Sequence, residues 1–118
     1  MKGIYILEIQ LKKDQKIKIG KLGIIDFKKG RYAYIGSAQN NLKKRINRHL
    51  KPSNKKKMHW HIDYLLKNKN AKIINTYFKK ASRKHECLTA KKLLKKGTAI
   101  NGFGCSDCKC VSHLIKIK

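Results

Sequence analysis

Apolar residues occupy alternate positions from Gly3 to Leu11. Tyr5, Leu7, Ile9 and Leu11 share one side, and Ile4, Ile6, Glu8 and Gln10 share the other. A period of two belongs to a strand, because successive side chains point to opposite faces. The same period returns over residues 31–37, where Tyr32, Tyr34 and Gly36 fall together, and over 16–20, where Ile17 and Ile19 do. Lys12-Lys13-Asp14-Gln15 is a polar turn, and Lys28-Lys29-Gly30 is a hairpin turn ending in glycine. Residues 21–27 read as a short strand or a loop. The chain must therefore build a sheet first and find helices to cover it.

Those helices follow. Residues 39–50 read as a helix with Ser37 or Asn40 as N-cap, a buried stripe of Leu42, Ile46 and Leu50, and Pro52 as its stop. Residues 59–67 form a second helix with Ile62, Leu65 and Leu66 inward. Residues 71–78 are rich in Ile, Thr, Tyr and Phe and read as a strand. Residues 82–96 form a third helix that Gly97 closes. A Gly/Cys loop over 101–110 leads to an alternating strand over 111–117. No internal repeat or linker divides the chain, so residues 1–118 are read as one domain. The expected class is α+β: a small mixed or antiparallel central sheet flanked by about three helices.

Charge is the strongest bulk property. Lys+Arg number 31 against 6 for Asp+Glu, a formal net charge of +25. A small domain so basic repels itself, and a polyanionic partner relieves that repulsion. Nucleic acid is the expected partner, with DNA favoured over RNA. No basic amphipathic anchor stands out, and no stretch approaches the roughly 20 apolar residues of a membrane helix. No signal-peptide pattern precedes the first strand, so a cytoplasmic location is the expectation.

Two features invite chemistry. Arg45 and His49 are four apart on the first helix, so they share a face beside its apolar stripe. A guanidinium held there can clamp a phosphate with two parallel hydrogen bonds. Glu86 aligns with Ala90, Leu93 and Leu94 on the apolar side of the third helix. A carboxylate on that side needs a partner. The sequence leaves open a salt bridge to Arg45 or a hard divalent cation.

Gly3-Ile4-Tyr5, then Tyr34-Ile35-Gly36, then Arg45 and a later helical Glu86, resemble the signature of the GIY-YIG nuclease superfamily in its order. The resemblance extends through Ser37-Ala38, Arg48-His49-Leu50, residues 59–65, Glu86-Cys87, Gly102-Phe103-Gly104, Ser106-Asp107-Cys108 and Ser112-His113-Leu114. Together these look like a small stand-alone branch of that superfamily, sometimes fused to a base-excision DNA repair enzyme. The resemblance implies a metal-dependent endonuclease that hydrolyses phosphodiester bonds with one Mg²⁺ or Mn²⁺. It implies Tyr5 near the attacking water as general base, with Tyr34 in the same hydrogen-bond network. It further implies Arg45 on the developing phosphate charge, His49 in a proton relay, and Glu86 as metal ligand. A tyrosine with an ordinary pKa near 10 needs help to act as a base at neutral pH. Read without the resemblance, Tyr5 and Tyr34 are a cross-strand aromatic pair. The alternative function is a non-catalytic, structure-dependent DNA- or RNA-binding module of the same fold.

Two further clusters stand apart. His59, His61 and Asp63 are candidate substrate contacts, or a helix start packed by Trp60 in which Asp63 pairs with His59 or Lys67. Cys105, Cys108, Cys110 and His113 form C-x2-C-x-C-x2-H, to which Cys87 or His85 could add a ligand. Structural zinc is one reading, buried free thiols the commoner one, and a disulfide a third. The basic residues expected to track a phosphate backbone are Lys43, Lys44 and Arg48 on the first helix, Lys55, Lys56 and Lys57 after it, and Arg83 and Lys84 at the third.

Overall fold

The computed structural model describes residues 3–38, 42–50, 61–80, 84–100, 103 and 112–117. Strand β1 spans Gly3–Leu11 and β4 spans Gly30–Ala38, and they pair antiparallel along their full length, from Gly3 opposite Ala38 to Leu11 opposite Gly30. Strand β5 (Ala71–Lys79) pairs antiparallel on the other side of β1, with a register shift between Glu8 and Ile9. Strand β7 (Leu114–Lys116) joins β4, and the two-residue β6 (Thr98–Ala99) closes that edge. The order is β5-β1-β4-β7-β6, all antiparallel. The long hairpin between β1 and β4 folds as a separate two-stranded sheet, β2 (Gln15–Lys18) with β3 (Ile24–Phe27). The fold is α+β.

The main core lies on one face. Tyr5, Leu7, Ile9 and Leu11 of β1 meet Tyr32 and Tyr34 of β4 and Leu114 of β7 there. Ile17 and Phe27 from the small sheet, with Ile19 just after β2, close one end. Helix α1 (Leu42–Leu50) contributes Ile46, and α2 (His61–Leu66) contributes Ile62 and Leu65. Helix α3 (Lys84–Leu94) covers the opposite face, with Ala90 and Leu93 packed on Ile6, Ile35 and Ile115. Alternation along β1 and β4 thus supplies both faces at once.

Three local expectations change. The second alternating run stops at Lys18, and residues 20–22 form a 3₁₀ turn with Gly20 at φ +46°. That conformation suits glycine and ends the strand. Leu50, expected in the buried stripe of α1, is half exposed, and His49 is buried in its stead. Leu94 on α3 likewise stands at the surface while Ala90 and Leu93 hold the apolar contact. Both helices sit a fraction of a turn away from the phase that hydrophobicity alone suggests. The short β6 had no signal in the sequence, because two residues are too few to express a period.

Candidate active site

The site forms where β1 begins and β4 ends. Tyr5 stands directly opposite Gly36, and Leu7 opposite Tyr34. The Tyr5 ring lies over Gly36, so closely that a Cβ there would collide with its Cζ and hydroxyl oxygen. The glycine of Tyr34-Ile35-Gly36 therefore makes the space that the first tyrosine occupies. The two tyrosine rings sit 6.4 Å apart at 50°.

Helix α1 brings the next two groups over this pair. His49 Nε2 lies 2.8 Å from Tyr5 Oη in a buried hydrogen bond. The His49 ring is 5.4 Å from that of Tyr5 and 6.2 Å from that of Tyr34, edge-on to the latter. One turn earlier, Arg45 donates to the Ser37 carbonyl at 3.1 Å, which ties the helix to the end of β4, and also hydrogen-bonds Tyr5. The i, i+4 spacing thus puts both side chains on the tyrosine side of the helix.

Burial pushes the Tyr5 hydroxyl pKa well above its ordinary value, while the charge and hydrogen bond of Arg45 pull it down. Glu86 and Asp63 add to the rise. Tyr34 is raised too, by burial first and then by Tyr5, Glu86 and Asp63. Both are neutral phenols at neutral pH, and Tyr5 can donate its proton to an unprotonated His49 Nε2.

Glu86 reaches the same end of the sheet from the first turn of α3, close enough for its charge to act on both tyrosines. Its partner is one that sequence reasoning missed. Oε1 lies 3.0 Å from Nδ1 of His113, which is buried at the start of β7. His113 is held by its backbone, donating to the Phe103 carbonyl at 2.8 Å and accepting from Ile35 N–H at 2.9 Å. The signal was the unexplained carboxylate on an apolar helix row, for which the sequence offered Arg45 or a cation and not His113. Among the described residues no group of three or more His, Cys, Asp or Glu side chains converges on one point. A single partly buried carboxylate with a histidine behind it fits a hard cation such as Mg²⁺, which takes few protein oxygens and keeps most of its waters.

Two of the candidate residues pair with each other. Asp63 is fully buried and accepts two hydrogen bonds from Arg48, at 3.0 and 3.1 Å. The carboxylate is sealed from solvent, and the guanidinium holds it with both nitrogens while keeping an exposed edge. The pair instead ties α1 to α2. His113 has its Nδ1 on Glu86 and is not available at that atom to a zinc site. His61 packs edge-on against Phe103 at 5.7 Å, and burial lowers its pKa. Phe103 also meets Tyr34 at 6.1 Å, so it links α2 to the tyrosine pair. Lys43 and Lys44 are exposed on α1, as expected. His59, Lys55, Lys56, Lys57, Arg83, Cys105, Cys108 and Cys110 lie outside the described residues, as do the side chains of Leu42, Lys84 and Cys87. Across the sheet from Tyr5, Phe78 of β5 is exposed on the same face.

The family model described as "Domain of unknown function DUF123" matches residues 4–118. No curated protein and no solved structure matches the chain.

Proposed function

We propose, for a chain that belongs to the family described as domain of unknown function DUF123, that it is a metal-dependent phosphodiesterase cutting nucleic acid, DNA in preference to RNA. The observation that carries the reading is the 2.8 Å hydrogen bond between Tyr5 Oη and His49 Nε2, with Arg45 bonded to the same hydroxyl. The resemblance to GIY-YIG nucleases and the +25 charge support the same reading.

The chemistry rests on the proton that Tyr5 can pass to an unprotonated His49. A phenol whose pKa is raised is a poor base by itself. Paired with His49 it becomes a relay: a water attacking phosphorus gives its proton to Tyr5 Oη as the Tyr5 proton passes to His49 Nε2. The new P–O bond forms and the opposite P–O bond breaks, and the leaving oxygen departs with a proton from solvent. Arg45 faces the phosphate and balances the charge that accumulates on its oxygens. Glu86 would hold the divalent ion, with His113 fixing the carboxylate's orientation from behind. When bound, such an ion supplies Lewis-acid stabilisation of the phosphoryl oxygens.

The test is cleavage of labelled duplex, branched and single-stranded DNA and of RNA, with and without Mg²⁺ or Mn²⁺. Wild type is run beside Glu86→Gln and His49→Gln. Metal-dependent cutting that both substitutions abolish is the expected result. Tight binding by all three proteins with no cutting of any substrate would overturn the enzyme reading in favour of a binding module. Among the described residues no helix is long and apolar enough to cross a membrane.

A further inference from the structure

A groove of about 700 Å³ opens at the far end of the sheet from the tyrosines, between the β2–β3 hairpin and the end of α2. Ile17, Gly20 and Tyr64 line its floor, and Lys18, Lys21 and Lys67 stand around it. All three lysines are exposed, and among the described residues none has a carboxylate partner. Three unneutralised ammonium groups around one depression form a local concentration of positive charge that attracts a polyanion.

The walls are tied together, so the lysines extend from a fixed frame. Gly20 sits at φ +46° with the Tyr64 ring against it, 3.2 Å from where a Cβ would stand. The turn closes on itself through Ile19 N–H to the Gly23 carbonyl at 2.9 Å and Leu22 N–H to the Ile19 carbonyl at 2.9 Å. On the other wall, Asn68 donates to Gln15 at 3.3 Å and accepts from Asn70 N–H at 2.9 Å. Lys12 N–H donates to the Asn70 carbonyl at 2.9 Å, which joins the α2–β5 turn to the β1–β2 turn. The half-buried Tyr64 ring offers an apolar surface for a sugar or base beside the phosphates.

We propose that this groove is a second anchor for a nucleic-acid backbone, distinct from the tyrosine site. The inference rests on the nucleic-acid part of the proposed function and does not need cleavage. The groove and the tyrosines belong to the same side of the main sheet, since Ile62 and Leu65 of α2 share a core with Tyr5 and Ile17. Tyr5 and Leu11 are six residues apart on β1, or about 20 Å at the rise of a strand. One strand of a duplex covers that span in about six nucleotides. A nucleic acid seated at the tyrosines therefore reaches the groove within about half a helical turn, and the inserted hairpin lengthens the footprint.

The experiment measures duplex DNA affinity by fluorescence anisotropy across a salt series. Wild type is compared with a triple variant, Lys18→Gln, Lys21→Gln and Lys67→Gln. A second triple, Lys91→Gln, Lys92→Gln and Lys95→Gln, removes the same charge from exposed positions in and just after α3, the helix on the opposite face. Each lost phosphate contact lowers the slope of log K against log salt by about 0.9. The groove triple should lower the slope by about 2–3 and the low-salt affinity by roughly 10- to 100-fold. The α3 triple should change the slope by less than about 1. Equal effects of the two triples would overturn the proposal, and so would a groove triple that binds like wild type. Wild type binding anionic phosphatidylserine vesicles but no nucleic acid would overturn it as well, in favour of a lipid surface. Binding that shifts as expected without any cleavage would sink the nuclease reading and leave the anchor standing.

Discussion

Gly36 faces the ring of Tyr5 across the β1–β4 pair with no room for a side chain between them. The collision would be with Cζ and the hydroxyl oxygen, the end of the ring that meets His49. Gly36→Ala must therefore displace the hydroxyl. Overpacking of this kind destabilises by about 1–3 kcal/mol. A shift of about 1 Å in a reacting group lowers a rate by about 10²-fold. Urea unfolding and a cleavage assay on the same preparation should show a folded protein with that loss. Wild-type activity in Gly36→Ala would remove Tyr5 from the relay.

Glu86 and His113 should separate chemistry from stability. Glu86→Gln keeps a hydrogen-bond acceptor on His113 Nδ1 and should remain within about 1 kcal/mol of wild type. Glu86→Ala leaves the buried His113 nitrogen without it and should lose about 1–3 kcal/mol. Both should lower metal-dependent cleavage by at least about 10²-fold. Thermal melts beside rate measurements distinguish the two effects. A Gln variant that cuts normally would show that Glu86 holds no ion.

The Arg48–Asp63 pair should be asymmetric. The Asp63 side chain is 0% exposed and that of Arg48 is 25%. Arg48→Met removes both guanidinium hydrogen bonds from a sealed carboxylate and should cost about 3–5 kcal/mol. Asp63→Asn leaves a guanidinium that still reaches water, and the loss should be smaller. Equal costs in denaturant unfolding would contradict the burial difference.

Alkaline pH should weaken the fold through its buried tyrosines. Burial pushes the Tyr32 hydroxyl up to about 12, and Tyr5 and Tyr34 are raised as well, from an ordinary value of 10.0. A folded pKa above the unfolded one means the folded state holds its proton more tightly. That stability is fully present below pH 10 and is lost as pH rises through the folded values. For Tyr32 the decline falls between pH 10 and about 12. Unfolding free energies measured at neutral pH and above pH 10 should show the decline. Tyr32→Phe should reduce it while lowering neutral-pH stability by the hydrogen bond to Lys28.

Much of this arrangement is written locally. Alternation along residues 3–11 and 31–37 specifies two strands whose tyrosines share a face, and the hairpin between them makes the pairing antiparallel. The spacing of Arg45 and His49 puts them on one side of a helix, and the burial of Glu86 demanded a partner. Each of these depends on neighbours within a few positions, where backbone geometry dictates direction.

The remainder depended on which elements meet. Helical phase is coarse in sequence, because one residue turns the helix by 100°. Leu50 and His49 are adjacent, and hydrophobicity favoured the leucine, yet the Tyr5 hydroxyl waits opposite the histidine and the helix turns to meet it. In sequence Asp63 reads as a partner for a near neighbour; packing of α1 on α2 brings Arg48 to it. Glu86 found His113 because β7 adds beside β4, under the start of α3. The long strands, the helices, the charge and the side chains able to do chemistry are legible in the order of residues. Their pairing comes from the folded chain, because a buried polar group takes the partner that chain-distant packing brings within hydrogen-bond reach.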